Sequence, residues 1–172
     1  KNIAKEVPFG IITLAGGLKD NAIPRECNAS ILVPAEGVGR IEEIIADASE
    51  VLKKEFFASD AGVQVTSVNA GVSKEDILDF VSLNKVLCYL RMVPNGVQNM
   101  SQAIPGLVET SLNLGIMELK EDVFMTETSI RSSVKTRKED VRDKLINIIE
   151  VVGGEAEVTG DYPAWEYKAD SK

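Results

Sequence analysis

From Thr110 to Val134 the chain reads as two strands joined by a polar turn, and that limits what the rest can become. Leu112, Leu114 and Ile116 alternate with Asn113 and Gly115, the period of a half-buried strand. Lys120-Glu121-Asp122 supplies the turn, and Val123 to Val134 returns. On the returning strand Phe124, Thr126, Thr128, Ile130, Ser132 and Val134 share one side; Met125, Glu127, Ser129, Arg131 and Ser133 share the other. Ile130 and Val134 suit a core, so Arg131 is expected to point away from it. Two roles stand open for Arg131. One is a solvated strand arginine. The other is a clamp for a carboxylate or phosphate, because a planar guanidinium presents paired donors. Upstream, Pro94-Asn95-Gly96 is turn chemistry, and the stretch to Gly106 reads as a long, weakly periodic loop.

The rest of the chain supplies helices to cover such a sheet. Lys1 to Val7 reads as the end of a helix stopped by Pro8. Gly10 to Ala15 is strongly β-prone, and Ala22 to Val33 returns, with Pro24 confined to its start or an edge. Arg40 to Phe57 is amphipathic, with Ile41, Ile44, Ile45, Ala48, Val51 and Leu52 as its stripe. Val63 to Val68 reads as a strand. Ser73 is placed to cap a helix over Asp76 to Val93, with Ile77, Phe80, Val81, Leu87 and Leu90 turned inward. Arg137 to Val152 is the last long helix, on Val141, Leu145, Ile148 and Val152; Gly153-Gly154 ends it. A short strand is expected over Glu155 to Thr159, then a tail carrying Tyr162, Trp165 and Tyr167.

Element order suggests an α+β chain: an antiparallel sheet with helices on one face, in two tandem ferredoxin-like halves of the β-α-β-β-α-β type. The first half, truncated at its start, covers residues 1–70. The second covers 71–160, and residues 161–172 form the aromatic tail.

Composition excludes several functions. The net charge of −8 speaks against nucleic acid or an anionic membrane surface as a partner. No apolar run is long enough to span a bilayer. Among the 172 residues there is no histidine, which removes Ser-His and Cys-His catalysis and most zinc sites. Cys27 and Cys88 sit singly in apolar surroundings, read as buried free thiols, with a disulfide still open. Asn21, in Lys19-Asp20-Asn21, is a residue type that tolerates turn geometry and caps local amides. With no methionine at its start, the chain reads as an excised domain.

Five blocks in order carry a resemblance: Asp20-Asn21-Ala22-Ile23-Pro24-Arg25-Glu26, Pro94-Asn95-Gly96-Val97, Gly106-Leu107-Val108-Glu109-Thr110-Ser111-Leu112-Asn113-Leu114-Gly115, Ser129-Ile130-Arg131-Ser132-Ser133 and Gly160-Asp161-Tyr162-Pro163-Ala164-Trp165. Together they resemble the zinc aminoacyl-histidine dipeptidases, or bacterial carnosinase-like metallopeptidases. The resemblance implies a lid or dimerisation domain inserted in a catalytic domain that binds two zinc ions. It carries over two substrate-binding residues. Asn21, in the Asn-x-Ile-Pro pattern, would meet the carbonyl region, and Arg131 the substrate's C-terminal carboxylate. It implies a dipeptide substrate, the catalytic domain of the same chain and a second copy as partners, and a cytoplasmic location. The piece lacks the histidine ligands, the general base and the lid's Gly-His-Ser-Gly segment. No catalytic residue, metal ligand or cofactor of its own is therefore expected, and the piece alone should be inactive. A stand-alone ferredoxin-like ligand-binding domain and a self-association module remain the competing readings.

Overall fold

A computed structural model describes residues 3–120 and 122–161. The chain is α+β. Its described elements are α1 (Ile3–Glu6), β1 (Gly10–Gly16), β2 (Cys27–Leu32), a 3-10 turn (Ala35–Gly37), α2 (Val38–Glu55), α3 (Phe80–Met92), β3 (Gly96–Met100), β4 (Val108–Lys120), β5 (Val123–Ser132) and α4 (Lys135–Val151). The strands form one five-stranded sheet in the order β2-β1-β4-β3, with β5 on the remaining edge of β4. Two compact units are distinguished. One takes Ser30–Asp79 with the chain up to Ile12; the other takes Thr13–Ala29 with the chain from Phe80.

In the unit from Phe80 onward, β4 and β5 make the expected hairpin, and Asp122 turns it with a φ of 66°. The apolar side chains of this hairpin meet two helices. Leu112 is buried against Val141 and Leu145 of α4, with Val93 and Ile130 packed beside them. Tyr89 of α3 stands edge-on to Phe124, ring centroids 6.0 Å apart, and shares a 2.8 Å hydrogen bond with Thr126. The rings thus bury their area while the phenol keeps a partner.

The alternation expected of β4 breaks at Gly115. The ladder to β5 shifts register between Leu114 and Ile116. Leu112 and Leu114 face Ile130 and Thr128, but Ile116 pairs with Glu127 on the opposite face, while Met117 and Leu119 take over the inner positions opposite Thr126 and Phe124. One extra residue reverses every side chain after it.

The stretch Pro94–Gly106, expected as loop, contains β3. It pairs with the first half of β4 from Gly96↔Leu112 to Met100↔Val108. Two shifts within five residues leave no clean period to read. Beyond β3, residues 101–106 are irregular, tied by the Ser101 Oγ accepting from the amides of Ala103 and Ile104. The inward face of α3 is also not the one expected. Leu83, Val86 and Tyr89 are buried, whereas Ile77, Phe80 and Val81 are exposed. No strand forms over Glu155 to Thr159. The aromatic residues Tyr162, Trp165 and Tyr167 lie outside the described residues.

In the other unit, α2 buries Ile41, Ile44 and Ser49, while Val51, expected in the stripe, is exposed. Arg40 bonds Glu6 at 2.6 Å and Glu43 at 2.7 Å, tying α2 to α1. The strand expected at Val63 to Val68 does not form. The Val65 amide donates instead to Ser49 Oγ at 3.0 Å, so a side chain answers where a ladder was expected. Helix α3, which belongs to the unit from Phe80 onward, begins at Phe80 rather than Asp76. The Leu78 amide is already committed to the Ile11 carbonyl at 3.0 Å, and Ser73 Oγ turns the chain locally through the Glu75 amide. Strand β2 begins at Cys27, three residues after Pro24, rather than at Ala22. Cys27 and Cys88, both in the unit that takes the chain from Phe80, are free, and both are exposed rather than buried.

Candidate functional site

Arg131 and Asn21 both belong to the unit built on β4, so the site can be assembled from that strand. Its two edges are used differently. One edge runs along β5 from Thr110 to Lys120. The other is shared: β3 takes Val108 to Leu112, and β1 takes Met117 to Leu119. Asn113 to Ile116 fall between them.

Two groups fill that interval. Asn95 Oδ1 accepts the Leu114 amide at 2.9 Å, a side chain standing in for a ladder carbonyl. The β1–β2 loop then folds over Gly115. A Cβ placed on Gly115 would lie 2.6 Å from both Cα and the carbonyl carbon of Asp20. From the loop side, Gly17 has a φ of 75°, and a Cβ there would lie 2.8 Å from the Gly115 carbonyl carbon. Two backbones therefore approach where only glycine admits them. The loop is closed below by the Gly17 amide donating to the Glu26 carbonyl at 3.2 Å. Asn21 sits at the tip of this loop, in the turn closed by the Ala22 amide on the Lys19 carbonyl at 3.3 Å, and is exposed. It makes no hydrogen bond to another described residue.

Arg131 lies on β5 directly across from Ser111. Along β5 the exposed residues are Val123, Met125, Glu127 and Arg131, so the arginine stands on the outer face, as the alternation predicts. Ser129, Ser111 and Asn113 share that face by register, making a polar surround. Arg131 has no ion pair with another described residue, although the chain carries more acids than bases.

Its backbone is nevertheless firmly held. Ile130 on one side is packed into the core. On the other side Ser132 Oγ bonds Thr110, itself fully buried, at 2.8 Å, and accepts the Val134 amide at 3.1 Å. The Ser133 amide donates to the Glu109 carbonyl at 3.1 Å, and the Glu109 carboxylate, only 10% exposed, pairs with Arg137 of α4 at 2.8 Å. A charged side chain with no ion pair among the described residues and pinned at its root is suited to receive an anion.

No hydrogen bond joins Asn21 to Arg131. What relates them is β4: Gly115, under the Asn21 loop, lies four residues from Ser111, on the order of 13 Å along the strand. Asn95, Gly17 and Gly115 were absent from the candidates drawn from sequence. The signal was present, since a lone glycine within a strand pattern marks a bulge or a close backbone approach.

The described residues include no group of three or more Cys, Asp or Glu that could hold a metal ion, and the sequence has no His. These residues do not fit a zinc site. An open depression at the hairpin's far end, lined by Glu118, Lys120, Val123 and Met125, includes neither candidate residue.

No family model matches the chain. The cytosol non-specific dipeptidase of Escherichia coli strain K12 is 30% identical over 168 residues, covering 98% of this chain and 34% of that protein. The crystal structure of aminoacylhistidine dipeptidase from Vibrio alginolyticus superposes with a TM-score of 0.92 at 29% identity, over 98% of this chain and 34% of that one. The chain thus spans about a third of the length of the relatives it matches, and over nearly all of its own length it fits a fragment of a dipeptidase.

Proposed function

We propose that these residues are the lid and dimerisation segment of a metal-dependent dipeptidase and contribute substrate contacts to its active site. The observation that carries the reading is Arg131: an exposed guanidinium, without an ion pair among the described residues, rooted between a packed isoleucine and a bonded serine. A dipeptide's constant anion is its free carboxylate, and a guanidinium meets it with two parallel hydrogen bonds. Asn21, at the tip of the loop on Gly115, supplies an amide donor toward the carbonyl region of the bound dipeptide.

The chemistry itself belongs to residues outside this segment. The zinc ions implied by the family resemblance, and the general base, would be held by the rest of the polypeptide. Within this segment, the arginine and asparagine bind and orient. The names of the two matched dipeptidases support the substrate class, and the cytosolic name of one supports a cytoplasmic location. No helix among the described residues is long and apolar enough to cross a membrane. Association with a second copy is supported by β5, ten residues long and hydrogen-bonded along β4 alone among the described strands, which leaves its other edge free to pair.

The test is hydrolysis of dipeptides by the full polypeptide and by residues 1–172 alone. The reading predicts that the full polypeptide cleaves dipeptides, loses activity on chelation and regains it with zinc, while the segment alone cleaves none. Metal-dependent cleavage by the pure segment would overturn its assignment as lid.

A further inference from the structure

Gly115 interrupts an otherwise apolar and polar alternation, and three independent features converge on it. The β4–β5 ladder slips there, between Leu114 and Ile116. The opposite edge of β4 has no partner among the described strands from Asn113 to Ile116, because pairing with β3 stops at Leu112 and pairing with β1 starts at Met117. The backbone of Asp20, next to Asn21, occupies the space that a side chain on residue 115 would take.

We propose that Gly115 is a positioning residue: the β4 bulge is a seat that holds the β1–β2 loop, and with it Asn21, at the height needed to meet substrate. The proposal rests on the reading of Asn21 as a substrate contact. The loop has little else to fix it. Asn21 and its neighbours Leu18, Lys19, Asp20, Ala22 and Ile23 are exposed, and the backbone bonds within the loop are Gly17 to Glu26 and Ala22 to Lys19. What sets its height is backbone against backbone at Gly17 and Gly115. Asn95 keeps the seat flat by holding the Leu114 amide, which has no ladder carbonyl to bond.

The substitution that reads this is Gly115→Ala. A methyl group cannot share space with the Asp20 backbone, so the loop must lift. A misplacement of about 1 Å at a catalytic contact can cost ~10²-fold in rate.

Two readouts on the full polypeptide test the seat. The first is hydrogen exchange of residues 17–26, expected to speed up by about tenfold as the loop loses its support. The second is kcat/KM on a dipeptide, measured in a double-mutant cycle with Asn21→Ala. If Gly115 acts through Asn21, Gly115→Ala lowers turnover alone but adds little in the Asn21→Ala background. Asn95→Ala, which loosens the seat without adding bulk, is read in the same assays and should move both in the same direction. It keeps the test decisive if Gly115→Ala does not fold. Unchanged exchange of residues 17–26 in either folded variant overturns the seat. Losses that multiply independently of Asn21 overturn its action through that residue. Full activity of Asn21→Ala would instead overturn the substrate-contact reading, and hydrogen exchange then decides on the seat by itself.

Discussion

Asp20 crosses β4 at Gly115 with its backbone where a side chain would otherwise stand. That contact links the loop bearing Asn21 to the strand that pairs with the one bearing Arg131. The two candidate binding residues come from sequence positions 110 apart, yet each is referred to the same rail.

The role of Asn21 separates from turn stabilisation by a near-isosteric comparison. Asn21→Asp keeps a side chain that suits the turn and removes the amide donor. If the donor meets the substrate carbonyl, turnover of dipeptides by the full polypeptide falls by roughly 10²–10³-fold, the loss usual for one such donor. Thermal unfolding should stay within about 0.5 kcal/mol of the parent, as for other exposed positions. Both quantities are read on the same preparation.

The root of Arg131 can be tested apart from its tip. Thr110→Val removes the buried hydroxyl that bonds Ser132 at nearly constant volume. It is expected to cost about 1–2 kcal/mol in chemical denaturation. Combining it with Ser132→Ala should cost less than the sum of the two single changes, because both remove the same bond.

Acid should loosen the end of the chain's described region. Lys138 bonds Asp161 at 2.6 Å and holds its carboxyl below the ordinary value of 3.8. The folded value is the lower one, so the contribution is complete above the unfolded value and is lost as pH falls through the folded one. Because Asp161 is exposed, the effect is small. Asp161→Asn should therefore lower the melting temperature slightly at neutral pH, and that small difference from the parent should close as pH falls below about 4.

Much of this arrangement was legible in the residues. The β5 alternation placed Arg131 outward because Phe124, Ile130 and their neighbours leave one apolar face. Helix α4 followed from Val141 and Leu145. The errors came where tertiary partners decide. Ile116 changed face because a bulge depends on what crosses the strand, in this case Asp20, and the period alone does not report it. β3 was hidden because Gly96 and Asn99 have low strand preference and are held by β4. Val63 to Val68 had the residues of a strand and no ladder to join, and its Val65 amide went to a serine side chain. The resemblance named Asn21 and Arg131; the glycine seat and Asn95 emerged only from the folded chain.

The measurement closest to the central claim compares two substrates on two proteins. A dipeptide and its C-terminal amide differ in the carboxylate alone. The account predicts that the parent polypeptide prefers the free dipeptide, and that Arg131→Ala lowers kcat/KM on it by ~10–150-fold, the range of a hydrogen bond to a charged group. On the amide the same substitution should have little effect, so the preference collapses. Arg131→Lys should recover only part of it, because an ammonium does not reproduce the paired geometry. An Arg131→Ala variant that keeps the parent's preference for the free carboxylate would contradict the clamp, and with it the substrate-binding role of the outer face of β5.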